Sequence, residues 1–482
     1  MGSHRTIAQR TVASILWNAA ANSVVLVVAF GRSIALARLL PVEIFGVYAF
    51  AGAIVGLSGM LPQFGLSWAF LHRSAETQHE GTAAANYFTL QLLFSSIWAG
   101  VVALGAGVLA DEPLRTALWV LCGTSVVSQL NMVAHVILVR RVVHRRLALL
   151  QVGDVLLTTL VALVLAYRGV TLWALLATNI ATSLLHTVAL YLWRPVWRPR
   201  LQWDIPVIRY FLRFGSRQFL SEALRRALDQ IDDVWTGIFL GPVSTGFYSR
   251  AYAFATYPRK IVALPVNTVF EGTYAELKEQ PEQLSRAFFS ANALLIRTGF
   301  LLGGLLFLIA PEFIRLALTD RWLPMLTAFR LMLMYTLFDP LKGTIAGVLL
   351  ALGKPELVLK TRSVQFIIMI SGLMVLGPLF DIAGVALAVN LMLVVGIGLL
   401  LRQVRAYVDY SLRALFAVPL LGLGLGLLLA YLAFSFPGVA VSDWHAGIIK
   451  AVVFTTVYGL ILTLLERQNF SLLGAALRKR WL

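Results

Sequence analysis

The sequence contains few charged residues and hardly any of the groups that build catalytic or metal sites. Charged side chains make up 13% of its 482 residues, about half the share usual in soluble proteins. Cysteine occurs once, at Cys122, so no internal disulfide can form. A Walker loop, an HExxH segment, a Gly-x-Ser-x-Gly turn and a metal-spaced Cys/His group are all missing. We therefore expect no metal, no cofactor and no enzymatic activity.

Long polar segments are also missing. The longest stretch between hydrophobic runs covers about residues 194–209 and is rich in arginine, tryptophan and proline. A connection of this length cannot hold a folded catalytic domain. The sequence therefore argues against a glycosyltransferase, polymerase or ligase, which would need a place for chemistry outside the membrane.

Hydrophobic residues account for 59% of the chain and form runs long enough to cross ~30 Å of hydrocarbon. About fourteen such runs are recognisable, and they predict an all-α polytopic membrane protein. We place them at 11–39, 44–70, 83–109, 114–139, 147–167, 170–193, 210–240, 244–270, 285–309, 323–351, 358–379, 382–404, 411–434 and 446–466.

The net charge of +17 is distributed unevenly between the two sides of this predicted topology. With a cytoplasmic N-terminus, the even-numbered connections contain most of the arginines and lysines, including Arg140, Arg145 and Arg200. The odd-numbered connections contain acids such as Glu112 and Asp443. This is the positive-inside pattern, and it predicts that both termini are cytoplasmic. The positive charge thus sets topology, and we expect no nucleic-acid partner.

A short internal repeat divides the chain. Pro41 precedes Gly46 and Tyr48 at the start of the second run, and Pro242 precedes Gly246 and Tyr248 at the start of the eighth. Gly and Tyr recur at an offset of 200 residues, which covers six runs and the linker. Transporters are often built from such repeats, with the substrate site at the repeat interface. We predict two six-helix lobes, 1–193 and 210–404, joined by the linker 194–209 and followed by two helices and a basic tail in 405–482.

Three motifs at helix ends resemble those of polysaccharide-transporter flippases. They are Arg38-Leu39-Leu40-Pro41 with Phe45-Gly46-x-Tyr48, Phe239-Leu240-Gly241-Pro242 with Gly246-x-Tyr248, and Leu350-Ala351-Leu352-Gly353-Lys354-Pro355. These flippases belong to the multidrug/oligosaccharidyl-lipid/polysaccharide (MOP) superfamily, and the resemblance covers about residues 10–404. The first turn lacks the usual glycine before Pro41.

The resemblance implies two six-helix bundles around a central cavity and a role in lipopolysaccharide, O-antigen or exopolysaccharide synthesis. The implied activity is the movement of a polyprenyl-pyrophosphate-linked oligosaccharide to the outer leaflet of a bacterial inner membrane by alternating access. Its expected partners are that glycolipid, membrane lipids and other polysaccharide assembly proteins.

Ionisable residues inside the runs predict the binding site, because charges at membrane depth usually face a cavity or each other. On the seventh run, Glu222, Arg226, Asp229 and Asp233 share an arc of roughly 60°. They either line a translocation cavity or neutralise one another along the helix. The eighth run combines cations with tyrosines, which would suit phosphates and sugars. The alternative is that these tyrosines form an interfacial belt and that the basic residues of the eighth run reach the cytoplasm.

The predicted substrate-binding residues are Arg32, Arg250, Arg259, Lys260, Arg297, Tyr248, Tyr252, Tyr257, Asn18 and Asn22. The predicted coupling or cavity acids are Glu222, Asp229, Asp233 and Asp339. The five cations have no obvious acidic neighbour in the sequence, which favours an anionic cargo.

Two other functions stay open. The first is a multidrug-type proton or sodium antiporter on the same fold, which would require a buried acid in the first lobe, where Asp154 is the one candidate found within a run. The second is a scaffold for glycan assembly that transports nothing, for which an interior without charges would be expected.

Overall fold

The computed structural model describes residues 7–73, 79–141, 144–193, 195–433 and 442–466, and side chains from residue 21 onward except at 144, 217 and 218. Within these residues the chain forms sixteen α-helices. It divides into two compact units, 1–246 and 247–482. The predicted lobes and linker stay predictions.

The first unit contains nine complete helices and the start of a tenth. They are α1 Ile7–Leu39, α2 Val42–Ser58, α3 Met60–Gln63, α4 Leu66–His72, α5 Glu80–Leu109, α6 Leu114–Arg140, α7 His144–Tyr167, α8 Thr171–Thr187, α9 Ile205–Phe239 and α10 Gly241–Ala255. A π-helical turn, Val188–Leu192, extends α8. Helix α1 packs along α7, α5 along α6, and α2 along α9. One core cluster joins Phe70 of α4, Tyr87 of α5 and Phe211 of α9.

The second unit continues α10 and adds six helices. They are α11 Leu264–Leu277, α12 Pro281–Phe313, α13 Leu326–Ala351, α14 Pro355–Val404, α15 Leu412–Leu432 and α16 Asp443–Leu465. A π-helical turn, Arg259–Ala263, precedes α11; another, Ile314–Leu318, follows α12, and a 3₁₀ turn, Asp320–Met325, leads into α13. Helices α15 and α16 pack on each other and on α12.

The 50-residue helix α14 is two membrane-length segments joined by a one-residue reversal. Asp381 has φ 54° and ψ −140°, outside helical geometry. The segments then run close together, since a Cβ on Gly384 would lie 1.9 Å from the carbonyl oxygen of Leu376. The predicted division between 379 and 382 therefore falls at the observed reversal.

Eleven helical segments of the described residues are long and apolar enough to cross a membrane, with α14 counted once. The chain is thus an all-α, multi-pass membrane protein. The seventh and eighth predicted spans, 210–240 and 244–270, are not among these eleven segments. Helix α9 carries nine charged side chains, and α10 and α11 have only 15 and 14 residues, with a π-helical turn between them. The count of fourteen spans stays a prediction.

Candidate functional site

The charged face of α9 forms a chain of ion pairs. Arg225 donates to both Glu222 oxygens, at 2.9 and 2.6 Å, and to Asp229 at 2.9 Å. Arg226 donates to Glu222 at 3.1 Å. All these pairs are three or four residues apart on one helix, the spacing that brings side chains together. The side chains stay between one quarter and one half exposed, so they are neutralised without being buried.

The same face of α9 also lines a cavity of about 310 Å³ within the first unit. We call it the α4–α9 cavity. Its wall includes Gln63, Trp68, His135, Phe219, Glu222 and Arg226. Arg226 connects two elements of this wall, because its Nη2 donates to the side-chain oxygen of Gln63 at 2.6 Å. The two interpretations of the α9 charges, pairing and cavity-lining, therefore hold together for Glu222 and Arg226.

The cavity exists because the second predicted span is broken. The sequence predicts one run over 44–70, but the chain forms α2, α3 and α4. Phe64 and Gly65 adopt left-handed conformations, with φ 38° and 69°. Such breaks leave backbone carbonyls that must be satisfied inside a membrane. Gln91 donates to the carbonyl of Pro62 at 3.0 Å, and Gln129 donates to that of Gly59 at 3.4 Å.

Two close contacts fix α4 against its neighbours. A Cβ on Gly215 of α9 would lie 2.2 Å from the carbonyl oxygen of Phe64, so the backbones touch where both residues 65 and 215 are glycine. At the other end of α4, Arg140 donates to the carbonyls of Phe70 and Arg73 at 2.9 and 3.2 Å. A basic side chain on the last carbonyls of a helix satisfies its free acceptors. These contacts set the distance between Gln63, Trp68 and the α9 face.

Arg32 lies in a second polar group of the first unit. Its Nη1 donates to Thr158 at 2.7 Å, and the Thr158 hydroxyl donates to the Asp154 carbonyl at 2.7 Å. The carboxylate of Asp154 accepts from Thr182 at 2.6 Å. Asn22 is exposed, and the side chain of Asn18 lies outside the described residues. Thr158 thus links Arg32 to the backbone of Asp154, the acid that the sequence offers as the candidate for an antiporter.

In the second unit, the predicted isolation of Arg259 is wrong. Arg259 and Lys342 both contact the carboxylate of Asp339 at 2.9 Å, and that side chain is only 4% exposed. Asp339 pairs with Lys342 as the three-residue spacing indicates. Lys260 lies over the ring of Tyr257, 5.1 Å from its centroid. The carboxylate of Asp339 thus balances cations from both the Arg259–Ala263 turn and α13.

The aromatic residues of the eighth predicted span differ in accessibility. Tyr248 is fully buried, so its ring is closed to a ligand in this conformation. Tyr252 packs against Tyr335, with ring centroids 6.0 Å apart. Tyr257 and Arg250 are partly exposed. Their predicted contact with substrate stays a prediction, as it does for Asp229 and Asp233.

The prediction that Arg297 lacks an acidic neighbour is also wrong. Arg297 makes a two-pronged contact with Glu466, with both oxygens at 2.6 Å, and both side chains are at least nine-tenths buried. The backbone carbonyl of Arg297 accepts from Tyr458 at 2.9 Å. Helical periodicity could not reveal this pair, because 169 residues separate the two positions. Arg297 is therefore held inside the second unit by the end of α16.

The sequence also missed Trp68, Gln63 and Phe219 as cavity residues. A signal for the break is present at Gly65, because a glycine within a hydrophobic run indicates a break. The described residues contain no group of three His, Cys, Asp or Glu side chains that could hold a metal ion.

A family model described as "Polysaccharide biosynthesis protein" matches residues 35–327, more than half of the chain. The chain belongs to this family. The predicted resemblance to polysaccharide transporters is confirmed.

Relatives and folds agree with that assignment. The chain is 29% identical to the succinoglycan biosynthesis transport protein ExoT of Rhizobium meliloti (strain 1021) over 266 residues, 52% of this chain and 51% of ExoT. It thus spans about half the length of that relative. It is 19% identical to the lipopolysaccharide biosynthesis protein WzxC of Escherichia coli (strain K12), covering 79% of this chain and 78% of WzxC. The lipid II flippase MurJ in an inward closed conformation has the same fold, with a TM-score of 0.75, 13% identity and coverage of 95% and 100%.

Proposed function

We propose that this protein is a flippase that moves a polyprenyl-pyrophosphate-linked oligosaccharide from the inner to the outer leaflet of a bacterial inner membrane by alternating access. The observation that carries the proposal is the ion-paired face of α9 along the α4–α9 cavity. Charges exposed to lipid at membrane depth cost several kcal/mol. A hydrated cavity that receives a polar head group removes that cost.

Family membership supports the same cargo class. The names of ExoT and WzxC place those proteins in succinoglycan and lipopolysaccharide biosynthesis. The MurJ fold shows that this architecture serves a lipid-linked substrate in at least one protein. We infer that the head group enters from the cytoplasmic side while the polyprenyl tail stays in lipid. The membrane potential favours outward movement of a negative charge by about 2.3 kcal/mol per 100 mV.

Both termini are cytoplasmic in this proposal, and the protein transports without catalysing a covalent step. Its partners would be the lipid-linked glycan, the surrounding lipids and other proteins of polysaccharide assembly. Arg32, Arg250 and Lys260 stay the proposed contacts for phosphate, while Arg259 and Arg297 serve first as partners of Asp339 and Glu466.

A reconstituted flipping assay tests the proposal. Vesicles would contain the purified chain and a polyprenyl pyrophosphate disaccharide with a fluorescent label on the sugar, and a membrane-impermeant quencher would report the outer leaflet. We expect the quenchable fraction to rise from about half toward all of the label. Trp173→Phe, at an exposed position of α8, is a control variant that should give the same trace as wild type. A wild-type trace identical to that of protein-free vesicles would overturn the proposal.

One observation favours the antiporter as a second candidate. Asp154 supplies the acid in the first unit that cation-coupled export would need, and Thr182 donates to it at 2.6 Å. The same vesicles, loaded with a fluorescent organic cation and given a pH or sodium gradient, would test this. Gradient-driven cation export that Asp154→Asn abolishes would establish antiport, and its absence beside glycolipid flipping would exclude it.

A further inference from the structure

The α4–α9 cavity has an aromatic side built from one end of the broken span. Trp68 lines it and is 51% exposed. The Trp68 ring stacks on His72, with centroids 6.0 Å apart and planes at 21°. His72 in turn stacks on Phe214, at 5.8 Å and 26°. The Trp68 ring thus packs on His72 of α4 and, through His72, on Phe214 of α9. These contacts hold the ring as a flat surface.

The same cavity is also lined by hydrogen-bonding groups with balanced charge. Arg226 donates to Glu222 and to Gln63. Arg225 and Asp229 continue the alternation of charge along α9. Each cation in this chain of groups faces an acid, so the wall presents donors and acceptors without a net positive field. Phosphate oxygens only accept and make their strongest hydrogen bonds with cations, whereas a hydroxyl group both donates and accepts.

A flat ring and a set of polar groups that line one cavity are the combination that fits a sugar. A pyranose has an apolar face of C–H groups, which packs on an aromatic ring, and a rim of hydroxyls, which need hydrogen bonds. The cavity volume of about 310 Å³ lies at the lower end of the range for small-molecule sites, about 300–1,000 Å³. This volume suits one sugar residue.

We propose that the α4–α9 cavity is a binding subsite for one neutral sugar of the glycan. Trp68 stacks on the sugar face, while Glu222, Arg226 and Gln63 bind its hydroxyls. The subsite rests on the proposed function and deepens it, since it recognises the sugar independently of the pyrophosphate. The tyrosine-rich eighth span is not needed for this contact.

Binding to two matched probes tests the subsite. The full chain in lipid nanodiscs would be titrated with farnesyl pyrophosphate and with farnesyl-pyrophosphate-linked glucose or galactose. The ratio of the two dissociation constants isolates the contribution of the sugar. We expect wild type to bind at least one glycosylated probe about tenfold more tightly, which corresponds to about 1.4 kcal/mol. Trp68→Ala should bring the ratio close to one, with the affinity for farnesyl pyrophosphate unchanged.

Three further variants sharpen the test. Trp68→Phe keeps a ring and should retain most of the ratio. Trp68→Leu keeps apolar bulk without a ring, so it should lose the ratio as Trp68→Ala does, and it serves if the alanine variant does not fold. Trp173→Ala removes another exposed tryptophan of the first unit and should leave the ratio unchanged.

The outcomes separate the subsite from the proposed function. A wild-type ratio near one, or a full ratio in the Trp68→Ala and Trp68→Leu variants, overturns the sugar subsite and leaves the flippase proposal standing. A wild-type protein that binds none of the probes overturns both.

Discussion

Gly46 and Gly246 each lie against the other's helix start. A Cβ on Gly46 would lie 1.6 Å from the carbonyl oxygen of Pro242, and one on Gly246 would lie 2.2 Å from that of Val42. These are the two glycines that recur at an offset of 200 residues. The repeat therefore marks a place where the backbones at the starts of α2 and α10 touch, and no side chain fits there.

We expect Gly46→Ala and Gly246→Ala each to destabilise the protein by about 1–3 kcal/mol, the usual cost of overpacking. Gly100→Ala and Gly105→Ala on α5 are matched controls, because nothing lies within 4 Å of a Cβ at either position. Alanine at these helical positions should be neutral or stabilise by about 0.5–1 kcal/mol. Thermal unfolding in detergent measures the differences. Equal melting temperatures in all four variants would contradict the close contact.

The Arg297–Glu466 pair should act as a structural element. Removing one partner leaves a buried charge, which costs about 3–5 kcal/mol. We therefore expect Arg297→Gln and Glu466→Gln each to lower the amount of folded protein. The double variant Arg297→Met with Glu466→Leu should recover much of it, because a neutral apolar pair carries no stranded charge.

The control for that pair is Arg286–Glu282, a contact of 3.8 Å whose side chains are 81% and 90% exposed. Exposed pairs contribute little, so Arg286→Gln should leave the melting temperature unchanged. Normal folding of both single variants at 297 and 466 would show that the buried pair does not stabilise the unit.

The Glu222–Arg226 pair should behave in the opposite way. Both side chains are partly exposed, so water can solvate whichever charge remains. Glu222→Gln and Arg226→Gln should therefore keep normal protein levels and reduce glycan export. The double variant should not recover export, because both hydroxyl-binding groups are then altered. Thermal stability and export are measured on the same samples, and recovery of both in the double variant would indicate a purely structural pair.

The charge asymmetry predicts which residues face the outside of the cell. Cysteine introduced at Asp443 or Glu112 in a Cys122→Ser background should react with an impermeant maleimide added to intact spheroplasts. Cysteine at Arg145 or Arg200 should react only after lysis, because those positions belong to the arginine-rich connections. Labelling of any one position from the wrong side would break the fourteen-span topology at that segment.

The predictable features of this protein lie within single helices or at their ends. The reversal at Asp381 and the pairing of Glu222, Arg225 and Arg226 follow from local spacing. The unpredicted features depend on contacts between helices. The break at Phe64–Gly65 is stable because Gln91 and Gln129 satisfy the carbonyls it frees, and no pattern in α3 or α4 reveals those partners.

The five predicted substrate-binding cations show the same limit of prediction from sequence. Five cations have no neighbouring acid in the sequence, yet Arg259 and Arg297 find Asp339 and Glu466 through tertiary packing. Excess positive charge counted along a sequence therefore overstates the positive charge available to a ligand.

Three charge pairs connect α12 and the turn that follows it with α16 and the residue after it, in reverse order along the chain. Arg297 contacts Glu466, Glu312 contacts Lys450, and Arg315 contacts Asp443. During synthesis, Arg297 and Glu312 are made well over one hundred residues before their partners Glu466 and Lys450. The charges of Arg297 and Glu312 therefore lack these partners until the last helix of the second unit has been made, so the arrival of α16 completes the charge balance of that unit.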